Sequence, residues 1–116
     1  VNPAERKAAG RAAEDRAAAY LLGLGYTIVT RRFKSHSGEI DLVALEDEVV
    51  VFVEVRSRTT GRLRPEETID STKTRALFMA AEEYMRKVYG TPRPFRFDLV
   101  AVEGEEVRHH IGAIRG

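Results

Sequence analysis

The sequence predicts an α/β domain around a mixed sheet, in the order α-β-β-β-α-β with one further strand at the end. Three observations carry this. Two segments place apolar residues at helical spacing behind good N-caps, and four short segments rich in Val, Ile, Leu and Phe lie between turn residues. The length of 116 residues, 43% hydrophobic and 32% charged, suits a single domain over residues 1–116 with a proper core.

Asn2 is a good N-cap, Pro3 suits the first helical position and Glu5 sits where a capping-box acid belongs. Ala13, Ala17, Tyr20, Leu21 and Leu24 form the apolar stripe, and Gly25 is the expected stop. Tyr26–Phe33 reads as a strand, followed by a polar turn at Lys34–Gly38. Glu39–Leu45 and Val49–Arg56 are close enough to pair as a hairpin. Thr59–Glu67, with Gly61 and Pro65, reads as a flexible basic loop. A second helix is expected over Ile69–Val88, capped by Asp70 or Ser71 and stopped by Gly90. Its stripe is Lys73, Leu77, Ala80, Tyr84 and Val88. After a linker at Thr91–Pro94 come a strand at Phe95–Val102, a turn at Glu103–Glu106 and a last strand at Val107–Ile111.

The stretch GEIDLVALEDEVVVFVEVRSR, Gly38 to Arg58, places Glu39, Asp41, Glu54 and Arg56 inside strands that are otherwise apolar. Burying such groups is costly unless they are paired, hydrogen-bonded or bound to a metal. With Asp47-Glu48 as a two-residue turn, Glu46 faces Val49, Leu45 faces Val50, Val43 faces Phe52 and Asp41 faces Glu54. Glu39 then falls opposite Arg56, and all four charged residues share one sheet face. The other face carries Ile40, Leu42, Ala44, Val51, Val53 and Val55. Two facing carboxylates about 5 Å apart at Cβ repel each other. A hard divalent cation such as Mg²⁺ relieves that repulsion and suits one or two carboxylates plus waters. The alternative is a structural ion-pair cluster in which Glu39 and Arg56 neutralise one another.

Composition narrows the classes. The absence of Cys excludes disulfides and thiolate metal sites and makes a reducing, cytoplasmic setting the expectation. No apolar run approaches a membrane span and no signal peptide is visible, so no membrane partner is expected. The chain opens on Val1 rather than Met, so a residue or two is expected to precede it. A net charge of +1 is too balanced to argue nucleic-acid binding from the global field. Local runs say more: Arg56, Arg58, Arg62 and Arg64 form one, and Arg31, Arg32 and Lys34 another. Fifteen of the 19 basic residues are Arg, which either phosphate recognition or genome composition would produce.

Asp41 followed by Glu54-Val55-Arg56 resembles the PD-(D/E)xK signature of restriction-endonuclease-like nucleases. The segments AAEDRAAAYLLGLGYTIV, GEIDLVAL, VVFVEVRSR and RFDLVAV, in that order, resemble the YraN-like family of bacterial proteins, related to archaeal Holliday-junction resolvases. The resemblance runs from about Gly10 to Val102. It implies a restriction-endonuclease-like αβββαβ core, with a mixed sheet flanked by helices. It also implies a phosphodiester-hydrolysing site using Mg²⁺ or Mn²⁺. Asp41 and Glu54 match the metal-binding acids, and the Val55 carbonyl would be a third ligand. Glu14 matches an acid on the first helix assigned to metal or water positioning, the alternative being a solvated helix acid. Glu39 belongs to the motif either as an outer acid or as the partner of Arg56.

One departure matters. The signature ends in Lys, and Arg56 holds that position. Arg grips phosphate well but is effectively never deprotonated. Lys73, in the first turn of the second helix, is the candidate substitute, or else a snorkelling Lys at a helix end. Asp98 reads as structural and His36 as an exposed loop residue, while the adjacent His109 and His110 face opposite ways. The expectation is a metal-dependent nuclease acting on DNA, branched or structured DNA included. Arg32, Arg56, Arg58, Arg62 and Arg64 would hold phosphates. The alternative is a nucleic-acid-binding accessory domain with a degenerate site. Resolvase-like cutting of two strands would also imply a homodimer.

Overall fold

A computed structural model describes residues 2–57 and 64–115. Asn2 caps α1 (Pro3–Gly23), its side chain accepting the Glu5 N–H at 2.8 Å. The strands are β1 (Thr27–Lys34), β2 (Glu39–Glu46), β3 (Val49–Ser57), β4 (Phe95–Glu103) and β5 (Glu106–His110). A short 3₁₀ turn (Pro65–Thr68) leads into α2 (Ser71–Val88), where Asp70 is the cap and accepts the Lys73 N–H at 2.8 Å. The described half of the loop expected at Thr59–Glu67 is thus partly ordered as 3₁₀. Of the three loop arginines, Arg58 and Arg62 lie outside the described residues.

The five strands form one mixed sheet in the order β1-β2-β3-β4-β5. β3 is central, antiparallel to β2 and parallel to β4, and α2 supplies the crossover that a parallel pair requires. This explains its composition. Val50 to Val55 are all buried, because α1 covers one face and α2 the other. Ala13, Ala17, Ala18 and Leu21 of α1 pack on Leu42, Ala44, Val51, Val53, Val55, Val100 and Val102. Leu77, Ala80, Ala81 and Tyr84 of α2 pack on Val43, Val50, Phe52, Phe97 and Leu99. Fully burying one such aliphatic side chain contributes roughly 1.5–3 kcal/mol. The helix stripes stop short of their predicted ends: Leu24 and Val88 are about half exposed, each lying past the rim of the sheet.

The hairpin register is the predicted one, with Glu46 facing Val49, Leu45 facing Val50 and Val43 facing Phe52. Asp47 takes a positive φ of 52° in the two-residue turn, a conformation Asp tolerates better than most residues. The alternation of faces along β2 departs from expectation at one place. Leu42 lies against α1, but Ile40 lies on the α2 side with Phe33. The break lies across from an irregular stretch of edge strand β1. Its register slips between Ile28 and Thr30, and Arg32 adopts φ 56°, between the pairs Arg31–Leu42 and Phe33–Ile40.

A buried polar network fastens β4 to β5 beneath α1. Asp98 is fully buried and accepts from Arg96 Nε at 3.0 Å, from His109 Nε2 at 2.7 Å and from the Gly112 N–H at 2.9 Å. Arg96 also reaches Glu46 at 2.6 Å and the Tyr26 hydroxyl at 2.7 Å. Burial pushes the Asp98 carboxyl upward, but the bonds from His109, Arg96 and Gly112 outweigh it and hold it below its ordinary value. Asp98→Ala strands these donors in a closed interior, and a loss of about 3–5 kcal/mol is expected in urea denaturation. The stability that Asp98 contributes is complete above the unfolded carboxyl value, about 4. It fades as pH falls through the lower folded value.

Candidate functional site

The backbone pairing of β2 with β3 runs from Glu46–Val49 to Leu42–Val53 and ends there. Beyond that point Asp41 Oδ2 accepts the Val55 N–H at 2.8 Å, supplying the partner that the interrupted ladder no longer provides. The bond draws the Asp41 carboxyl against Glu54. Glu54 is only 3% exposed, because it follows Phe52 and Val53 inward along the central strand. Its Oε2 lies 3.3 Å from Arg56 and 3.9 Å from Lys73 Nζ. Lys73 comes from the first turn of α2, where the Asp70 cap fixes its backbone, and its side chain is 44% exposed. The Nε–H of Arg56 is buried and meets no acceptor among the described residues.

Burial, then the hydrogen bond and charge of neighbouring Glu54, push the Asp41 carboxyl up to about 8. The Val55 N–H and the Arg56 guanidinium pull the other way without prevailing. Asp41 is thus an acid whose charged form is disfavoured by its setting. A divalent cation between two such carboxyl groups would relieve the same repulsion. Among the described residues no three His, Cys, Asp or Glu side chains converge. The donor set is accordingly a pair of hard carboxylates, which suits a cation that keeps several waters, as Mg²⁺ does, and not a fully caged one.

Asp41, Glu54, Arg56 and Lys73 are thus brought together on the α2 side. Glu14, Arg32 and Glu39 are not among them. Glu14 Oε1 takes Arg32 Nε at 2.8 Å, and Glu39 acts on Arg32 as a further negative charge. All three line a cleft of about 280 Å³ with Lys7, Gly10, Arg11 and Lys34, between α1 and the β1–β2 edge. The expectation that Glu39 faces Arg56 fails for the reason that turns Ile40: the strand alternation is broken at Asp41, so Glu39 falls on the α1 side. Arg64 is exposed just before the 3₁₀ turn. His36 is exposed, and its backbone N–H lies 3.4 Å from Glu83.

Two features beside the site had weak sequence signals. Arg108 makes hydrogen bonds of 2.7 and 3.0 Å to Glu66, and His110 lies 2.9 Å from the same carboxylate, clamping the 3₁₀ turn onto β5. The Arg108 bonds hold the Glu66 carboxyl down at about 2. In the cleft, Lys7 and Arg11 are spaced i, i+4 on α1, which was the available hint that they act together.

A five-stranded mixed sheet between two helices, with an acid on its second strand and an acid-x-base at the end of its third, defines an αβββαβ protein with a pair of carboxylates set at the end of its central hairpin. The chain belongs to the Uncharacterised protein family UPF0102, which it matches over residues 13–102. It is 42% identical over 113 residues to a UPF0102 protein of Anaeromyxobacter sp. (strain Fw109-5), covering 97% of this chain and 85% of that one. A UPF0102 protein of Persephonella marina is 39% identical over 101 residues, covering 86% of this chain and 87% of the relative. One from Pseudomonas putida is 41% identical over 106 residues, with 90% and 84% covered. The YraN-like resemblance of the motifs is this membership.

The raised Asp41 value carries a pH signature. An acid whose folded pKa lies above its unfolded one adds stability that is complete below the unfolded value and lost as pH rises through the folded one. The metal-free protein should therefore lose melting temperature between about pH 4 and pH 8. Asp41→Asn should flatten that decline in a melting series taken in chelator.

Proposed function

We propose that this chain is a divalent-metal-dependent nuclease hydrolysing phosphodiester bonds in DNA. One observation supports this above the others. Two carboxylates meet at the interrupted end of an apolar hairpin, in a setting that raises the pKa of one, with two cationic side chains beside them. Perturbed acids with dedicated cationic neighbours are characteristic of functional sites. No helix among the described residues is long and apolar enough to cross a membrane.

Asp41 and Glu54 would hold Mg²⁺ or Mn²⁺, with the Val55 carbonyl as a third donor. When bound, such an ion polarises a phosphoryl oxygen and lowers the pKa of a bound water. The chain's own side chains divide the remaining work. Arg56 is partly exposed, reaches Glu54 at 3.3 Å and carries the planar guanidinium fork that grips phosphate, so it serves as the clamp on the scissile phosphate. Lys73 is a compact, half-exposed ammonium reaching the same carboxylate from α2, so it is placed to orient the attacking water. Glu14 stays with Arg32, outside this pair.

The second reading is an accessory nucleic-acid-binding domain with weak or no cleavage. Arg56 in the Lys position of the signature favours it. The two readings separate when the purified protein is incubated with linear, single-stranded and four-way DNA in Mg²⁺, Mn²⁺ or neither. Products in metal alone support the nuclease; binding without products supports the accessory role. Calorimetry with Mn²⁺ should show binding by the parent and its loss in Asp41→Asn, and unchanged binding there defeats the metal site.

Cleavage by Arg56→Lys should match or exceed the parent, while Arg56→Ala should fall by about 10²-fold, the scale for losing a positioned electrostatic group. Lys73→Ala should lower kcat more than it raises KM. Full activity of Arg56→Ala would leave that residue as the internal partner of Glu54 and pass the cationic role to Lys73.

A further inference from the structure

The cleft between α1 and the β1–β2 edge lies on the opposite side of the sheet from the Asp41–Glu54 pair. Its walls carry four cations, Lys7 and Arg11 from the helix and Arg32 and Lys34 from the strand, against the carboxylates of Glu14 and Glu39. Glu14 is engaged with Arg32. The side chains of Lys7, Arg11 and Lys34 form no ion pair or hydrogen bond with any described residue. Scattered surface cations without partners are ordinary. Cations converging on one concavity from two elements leave a net positive charge facing inward, and such a charge calls for an external anion.

The floor supports the same conclusion. Gly10 lies in α1 among Ala8, Ala9, Ala12 and Ala13, where Gly is less favourable than Ala by roughly 0.5–1 kcal/mol. A Cβ built on Gly10 meets nothing within 4 Å. Internal packing therefore does not require the glycine, which leaves the helix backbone open toward the cleft. Close approach of a ligand to backbone is one of the places where glycine is used.

We infer that this cleft is a second phosphodiester-binding subsite, holding the nucleic-acid backbone on the α1 side of the sheet while the scissile phosphate lies on the α2 side. The inference rests on the nuclease reading for its ligand class. The two subsites are joined through the β1–β2 pair: Arg32 stands between the residues paired with Ile40 and Leu42, next to Asp41. The backbone would pass around this end of the sheet.

The test is the salt dependence of binding to a labelled DNA duplex and to the matching single strand, in EDTA so that cleavage is suppressed. For the parent and for Lys7→Gln/Arg11→Gln/Lys34→Gln, the slope of log K against log salt is compared. The slope should fall by roughly 0.9 per duplex phosphate contact removed, so by about 2.7 for the triple variant. Gly10→Glu, which places a carboxylate on the floor, should weaken binding at low salt with its melting temperature within a few degrees of the parent. An unchanged slope in the triple variant overturns the subsite, as does a parent that binds no nucleic acid at low salt. Cleavage in Mn²⁺ is scored separately. A parent that binds through the cleft yet never cleaves defeats the nuclease reading and leaves the subsite standing.

Discussion

The β2–β3 ladder ends at Leu42–Val53, and the Asp41 carboxyl takes the Val55 N–H in its place. The rest of the polar centre depends on this substitution of a side chain for a backbone partner. It holds Asp41 at the rim of the central strand, beside an acid that the core keeps away from water. It also coincides with Arg32 in a left-handed conformation, which costs a non-glycine residue on the order of 1–3 kcal/mol. That strain sits directly across from Asp41, and it separates the charges. Glu39 goes to the α1 side with Arg32 and Glu14, while Asp41 and Glu54 stay with Arg56 and Lys73.

Two acids, one fully and one partly buried, show how local donors set the state of a carboxylate. Asp98 receives hydrogen bonds from Arg96, His109 and the Gly112 N–H, so its charge is satisfied and its pKa lies below normal despite complete burial. Asp41 loses hydration and faces another carboxyl, and its one backbone N–H does not offset them, so its pKa lies above normal. The first arrangement is closed and structural. The second is left incomplete among the described residues, which is the opening that the proposed function uses.

Much of this was legible in the sequence. The turn at Asp47-Glu48 and the apolar run after it determine the hairpin register, and the register places Asp41 toward Glu54. The Asp70 cap sets the start of α2 and delivers Lys73 to the same place. What could not be read was the break in alternation. It lies across from a positive φ at Arg32, and no glycine or proline marks that position. With strict alternation, Glu39 reads as a neighbour of Arg56, and only the family resemblance draws Glu14 toward the Asp41–Glu54 pair. The Asp98 network was half visible as an acid-x-base pair with Arg96. Its other half, His109, arrives only through the β4–β5 pairing of Val100 with His109.

The two free margins of the sheet are unlike those of a protein that grows by adding strands. β1 carries a register slip and a left-handed arginine, with Arg31 and Lys34 pointing to solvent. β5 is five residues long and presents Glu106, Arg108 and His110, with Arg108 engaged by three glutamates. Irregular, short and charged margins resist strand-to-strand docking between molecules. The protein is thereby guarded against edge-templated aggregation, in part by an irregularity that lies across from its polar centre.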